Sequence, residues 1–186
     1  MSAAHPEAVS SVPPDDDVGN IADVDASDNK GTQDFNISQV IHNYPSMDED
    51  ELRQALEKLL PDILMSKLAD LGIGPETKAE DTELDPEQEE LVDEVLEATE
   101  AAEESGIEFD PWDYISLGNA AKLRGRTFTA EGYYREALRL FLEVGNRKGE
   151  ANSLNNLGLI AGTRGDYDEA ERLYRESLAI RREIGD

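Results

Sequence analysis

Three observations predict an all-α chain: a helical-hairpin repeat forming a short α-solenoid, preceded by amphipathic helices and a disordered acidic N-terminal tail. The first is self-similarity at a fixed offset of 40 residues. Leu117-Gly118 returns as Leu157-Gly158, Gly125 as Gly165, Ala130 as Ala170, Tyr134-Arg135-Glu136 as Tyr174-Arg175-Glu176, Leu138 as Leu178 and Gly145 as Gly185. One unbroken spacing between 20 and 50 residues is the mark of stacked structural repeats. The second is the three-and-four spacing of apolar residues in each copy, punctuated by glycine. The third is charge. Residues 1–110 hold 31 Asp and Glu against 5 Lys and Arg, whereas residues 111–186 hold 12 against 12, so the net charge of −26 lies entirely outside the repeats.

Taken in order, residues 1–33 contain Pro13-Pro14, the run Asp15-Asp16-Asp17 and no Phe, Trp or Tyr. Such a segment cannot bury enough apolar surface to offset its ordering entropy, and a disordered tail is expected. Asp15 to Asp17 read as a solvated acidic run, not as a cation site. Residues 34–74 carry a short docking segment and then a helical hairpin or kinked helix. Phe35, Ile37, Val40 and Ile41 mark the segment as either a short strand or an extended stretch. Asn36-Ile37-Ser38 has the form of a glycosylation sequon but lacks a secretory signal. Ser46-Met47-Asp48-Glu49 reads as a capping box. The helix after it carries Leu52, Leu56, Leu59 and Leu60, should kink or restart at Pro61, continues with Ile63, Leu64, Leu68 and Leu71, and stops at Gly72-Ile73-Gly74-Pro75.

Residues 75–84 form an acidic linker. Residues 85–110 form an acidic capping helix, started by Asp85-Pro86 and stopped by Ser105-Gly106. Leu91, Val92, Val95, Leu96, Ala98 and Ala102 make its apolar side and carboxylates cover the rest, as suits a helix shielding the end of a repeat stack. The two units span 111–148 and 149–186. In the first, Asp110-Pro111 is cap and first helical residue, Tyr114, Leu117 and Ala121 form the inner stripe, and Gly125 ends the helix. In the second, the first helix runs from about Gly149 to Arg164 with Leu154, Leu157 and Ala161 inward, and Asp166 caps a helix with Ala170, Leu173, Tyr174, Ser177, Leu178 and Ile184 on one face. Small residues at Gly118, Gly158, Ala121, Ala161, Ala130 and Ala170 let helix axes approach.

With Tyr114, Leu117-Gly118, Ala121, Ala130, Tyr134 and Ala137 in one unit, and Leu154, Leu157-Gly158, Ala161, Ala170, Tyr174 and Ser177 in the other, the region resembles the tetratricopeptide repeat family. The spacing of 40 exceeds the usual 34, and Leu142 and Arg182 stand where many units close with proline, so the long variant of kinesin light chains and prokaryotic arrays is the nearer likeness. The resemblance implies a groove lined by the first helices, with Trp112, Ile115, Asn119 and Lys122, then Asn152, Asn155, Leu159 and Thr163 exposed in it. Asn119 and Asn156 fall where family members that clamp a C-terminal carboxylate place asparagines, but Ile115 occupies the position of the first clamp lysine. Trp112 is either a groove anchor or a packing residue between cap and first repeat.

Composition narrows the function. No cysteine is present, which removes thiolate catalysis, disulfides and cysteine-based zinc sites. His5 and His42 stand outside any HExxH motif or Ser-His-Asp arrangement, and no glycine loop suited to phosphate is present, so no catalytic residue, metal or cofactor is expected. Gly145-Asn146-Arg147-Lys148-Gly149-Glu150 reads as an inter-repeat turn. An acidic chain repels phosphate backbones, which disfavours nucleic acid. The absence of a long apolar run and of a signal peptide points to the cytoplasm and away from membranes. Arginine in excess of lysine, with many carboxylates, resembles proteins of salt-loving archaea.

The expected activity is therefore non-catalytic binding of a protein or peptide segment. The alternative is a regulatory or accessory subunit whose acidic N-terminal half occludes the groove or binds a basic partner. Two units totalling 76 residues supply only about 3 to 5 kcal/mol unaided, which leaves three expectations open: a fragment of a longer array, a cap from the helix at 86–104, or burial of the open end in another subunit. Leu178, Ile180 and Ile184 form an apolar ridge there, through which edge-on self-association is expected.

Overall fold

A computed structural model describes residues 48–78 and 82–186. The expected tail, docking segment, sequon and Ser46 cap lie outside the described residues. Six helices follow one another without a strand among the described residues: α1 (Glu49–Asp70), α2 (Pro86–Glu104), α3 (Pro111–Leu123), α4 (Thr127–Val144), α5 (Arg147–Thr163) and α6 (Tyr167–Ile184). The described residues are thus all-α, with α3–α4 and α5–α6 as two equivalent hairpins.

All six helices end on one device. Gly72, Gly106, Gly125, Gly145, Gly165 and Gly185 each take a positive φ, open to glycine because it lacks a Cβ. The residue after each glycine donates its amide to the carbonyl five positions back: Ile73 to Leu68, Ile107 to Ala102, Arg126 to Ala121, Asn146 to Phe141, Asp166 to Ala161 and Asp186 to Arg181, at 2.8–3.0 Å. The α1–α2 pair therefore carries the punctuation of the two repeats without their residue pattern.

Three boundaries differ from the sequence reading. The capping box of α1 is Asp48 and Glu51, with the Glu51 amide 2.8 Å from Asp48 Oδ1 and the Asp48 amide 3.1 Å from Glu51 Oε2. Asp-Glu-Asp-Glu carries the same chemistry two residues beyond Ser46, and aspartate caps as well as serine. Pro61 does not interrupt α1; its fixed φ is helical, and the Glu57 carbonyl left without an amide belongs to an exposed residue that water can serve. Finally, α5 begins at Arg147, because Asn146 Oδ1 accepts from the Gly149 amide at 3.0 Å and places the start two residues earlier.

Close approach explains the Leu-Gly pairs. A Cβ on Gly118 would lie 2.3 Å from the Tyr134 ring, and one on Gly158 would lie 2.7 Å from the Tyr174 ring. Tyr134 and Tyr174 thus occupy matching places, each ring over the glycine of its partner helix. Between the hairpins, Phe141 of α4 fills the space above Gly149 of α5, where a Cβ would meet its ring at 2.3 Å. The core runs without a break from Leu64, Leu68 and Ile73 through Val92, Val95 and Leu96 into the repeats.

The α2–α3 junction repeats the α4–α5 junction. Arg124 at the end of α3 forks onto Asp93 of α2, Nε to Oδ1 at 3.1 Å and Nη2 to Oδ2 at 2.9 Å, and also reaches Glu89 at 2.9 Å. Its counterpart Arg164, 40 residues on, reaches back to Glu131 of α4. In both cases an arginine closing one helix binds an acid on the helix before it, so α2 stands to α3 as α4 stands to α5.

Candidate interaction surface

The first helices of the two units, α3 and α5, touch one another, and the residues expected to line a groove divide sharply between them. On α3 the interior claims most of them. Ile115 is fully buried and Asn119 is 3 % exposed. The Asn119 amide donates from Nδ2 to the Gly74 carbonyl at 2.8 Å, and its Oδ1 accepts from the Tyr134 hydroxyl at 2.8 Å. These two are not exposed groove positions, because α1 and the turn after it pack over this part of α3. Buried and bonded at both ends, the Asn119 amide is turned to the interior and not to solvent.

Trp112 is half-buried, with its ring edge-on to Phe141 at a centroid separation of 4.7 Å. Its ring packs on the second helix of the first repeat and against the continuous core. Lys122 is half-buried at the end of α3.

On α5 the same reading describes an accessible strip. Asn152, Asn155, Asn156 and Leu159 are half-buried and Thr163 is exposed; their spacing of three and four puts them on one face of the helix. Asn156 Nδ2 donates to Asn152 Oδ1 at 3.1 Å, which orients both amides along the helix. Thr163 Oγ1 donates to the Leu159 carbonyl at 2.9 Å. Amides carry donors and acceptors together, so an aligned row can meet the alternating N–H and C=O groups of a peptide backbone.

Sequence reasoning missed a cleft of about 390 Å³ between α4, α5 and α6, floored by Leu138, Leu157 and Leu173. Its rim is a charge network: Glu131, 3 % exposed, is held by Arg135 one turn along α4 and by Arg164 of α5. The signal was present in the pairing of Arg124 with Arg164 at the repeat offset. Two arginines on one buried carboxylate offset its desolvation and tie the hairpins together.

Two further groups sit under strained electrostatics. Burial pushes the Asp113 carboxyl up to about 6, against the hydrogen bond from the Asp110 amide and with help from the charges of Asp110 and of Asp62 on α1. The Tyr114 hydroxyl donates to Glu103 Oε1 at 2.9 Å, and burial raises the Glu103 carboxyl despite that bond. No cluster able to hold a metal ion occurs among the described residues, and no helix there is long and apolar enough to cross a membrane.

Residues 114–183 match the family model described as Tetratricopeptide repeat. No curated protein and no solved structure matches the chain.

Proposed function

We propose, with residues 114–183 a pair of tetratricopeptide repeats, that this protein is a non-catalytic module that binds an extended or helical segment of a partner protein along α5. The observation that supports this reading is the division between the two first helices: Ile115 and Asn119 are covered, while Asn152, Asn155, Asn156, Leu159 and Thr163 stay within reach of solvent. The amides fix a peptide backbone and Leu159 offers an apolar contact beside them.

Selection from a displayed peptide library tests this. Selected peptides should bind the Asn152→Ala, Asn155→Ala double variant about 10-fold more weakly, the loss of one or two hydrogen bonds of about 1 kcal/mol each. Unchanged affinity would place the site elsewhere.

A second reading, a regulatory or accessory role for the acidic N-terminal half, is favoured by two observations. The Gly74 carbonyl occupies Asn119, as an element covering half of the groove would, and α2 presents a predominantly acidic outer face suited to a basic partner. If α1 occludes, loosening it with Leu68→Ala should tighten binding of the same selected peptides. Self-association of α6 is a separate proposal, supported by exposed Leu178 and Ile184.

A further inference from the structure

The accessible face of α2 is strongly acidic. Glu87, Glu90, Glu94, Glu97, Glu100 and Glu104 are all exposed and follow one another at three- and four-residue steps, so like charges repel along the helix. In the repeats, by contrast, carboxylates are matched: Glu136 and Glu143 share Arg139, and Glu169 and Glu176 share Arg172. Among the described residues, Glu87, Glu90 and Glu94 have no cation within salt-bridge distance.

These three carboxylates flank an apolar groove. Leu71, just past the end of α1, and Leu91 of α2 lie side by side in a depression of about 370 Å³, with Gln88 beside them. Both leucines are only partly buried. A depression of this size admits one large aliphatic side chain, and the rim around it has a single sign.

From this geometry we infer that the Leu71–Leu91 groove is a docking site for a basic amphipathic segment of a partner protein, which inserts an apolar side chain between the leucines and sets lysine or arginine against Glu87, Glu90 and Glu94. This inference rests on the basic-partner form of the second reading above and gives it a location. Charge complementarity selects the occupant: a cationic segment relieves the repulsion along α2, while a second copy of this chain is repelled as a whole by the excess of −26 that both copies carry in residues 1–110. The apolar anchor gives the contact a fixed register that charge alone does not give.

The test uses the full chain and a fluorescent 18-residue peptide of lysine and leucine in helical three-and-four spacing, with two controls in which the leucines are alanine or the lysines are glutamate. Anisotropy at 50 mM salt should show binding of the Lys/Leu peptide only. The Glu87→Gln, Glu90→Gln, Glu94→Gln variant should weaken it at least 10-fold, and Glu76→Gln, Glu108→Gln, Asp168→Asn, with the same loss of charge off this face, should weaken it less than 3-fold.

If both triple variants lose affinity equally, or the Lys/Ala peptide binds as well as Lys/Leu, attraction is diffuse: the groove assignment falls and the basic-partner reading survives. If the Lys/Leu peptide does not bind at all, both fall. Light scattering that shows self-association abolished by the Glu87, Glu90, Glu94 variant gives the groove to a second copy and also overturns the assignment. Circular dichroism of each variant, matched to the parent, shows that these losses arise at the surface.

Discussion

Gly118 shows how much one absent side chain decides. Its Cα lies against the Tyr134 ring so closely that a methyl would stand 2.3 Å from Cε1, and the same ring carries the hydroxyl that holds Asn119. Gly118→Ala should therefore cost about 2 kcal/mol by overpacking, with a further loss if the Tyr134–Asn119 bond is broken. Gly158→Ala should cost less, since Tyr174 is half-exposed and its ring can yield. Urea denaturation of the two variants measures both, and equal costs would contradict the difference. The Leu-Gly pairs were legible in the sequence because the absence of a side chain is itself a residue type. Asn119 was not, because an asparagine looks the same whether solvent or a carbonyl from another element meets it.

At the scale of elements, a half-buried carboxyl at the start of α3, with α1 nearby, gives the fold a pH signature. Asp113 lies in the first turn of α3, facing Asp62 of α1 and Asp110 of its own cap, and burial raises it from 3.8 to about 6. A carboxyl with a raised folded value binds its proton more tightly in the native state, so stability falls as pH rises from about 4 to about 6. Other groups titrate nearby: Glu103 is raised and Asp93 lowered. The informative quantity is therefore the difference from Asp113→Asn. That variant, which keeps an acceptor for the Asp110 amide, should match the parent near pH 3.5 and exceed it above pH 6, as followed by thermal unfolding across this range. A difference that does not vary with pH would remove the buried charge from the α1–α3 contact. The start of α2 at Asp85-Pro86 was readable locally. The place of α1 was not, since its leucines announce an apolar face without naming the surface opposite.

At the scale of the molecule, a continuous core passes from α1 to α6 and leaves apolar surface on the last helix. Leu178 is 46 % exposed and Ile184 40 %, but Ile180 is only 4 % exposed, so the expected three-residue ridge is a pair. Ile180 belongs to the inward stripe of Ala170, Leu173 and Ser177, at steps of three and four, where Ser177 Oγ donates to the Ala151 carbonyl at 2.7 Å. If the remaining pair mediates edge-on association, light scattering after size exclusion should show mass rising with concentration, and Leu178→Glu should return the protein to a monomer. A strict monomer at micromolar concentration removes the proposal.

The sequence by itself determined the helices of the two repeats, the glycine stops and the equivalence of the two hairpins, because each rests on residues within about 40 positions of one another and on their own conformational preferences. Only the tertiary structure decided which predicted surface residues are interior. Asn119 meets a carbonyl 45 residues away, and Arg124 and Arg164 meet acids 31 and 33 residues before them. Burial depends on which element lies across the helix, and periodicity identifies an apolar face without identifying what covers it.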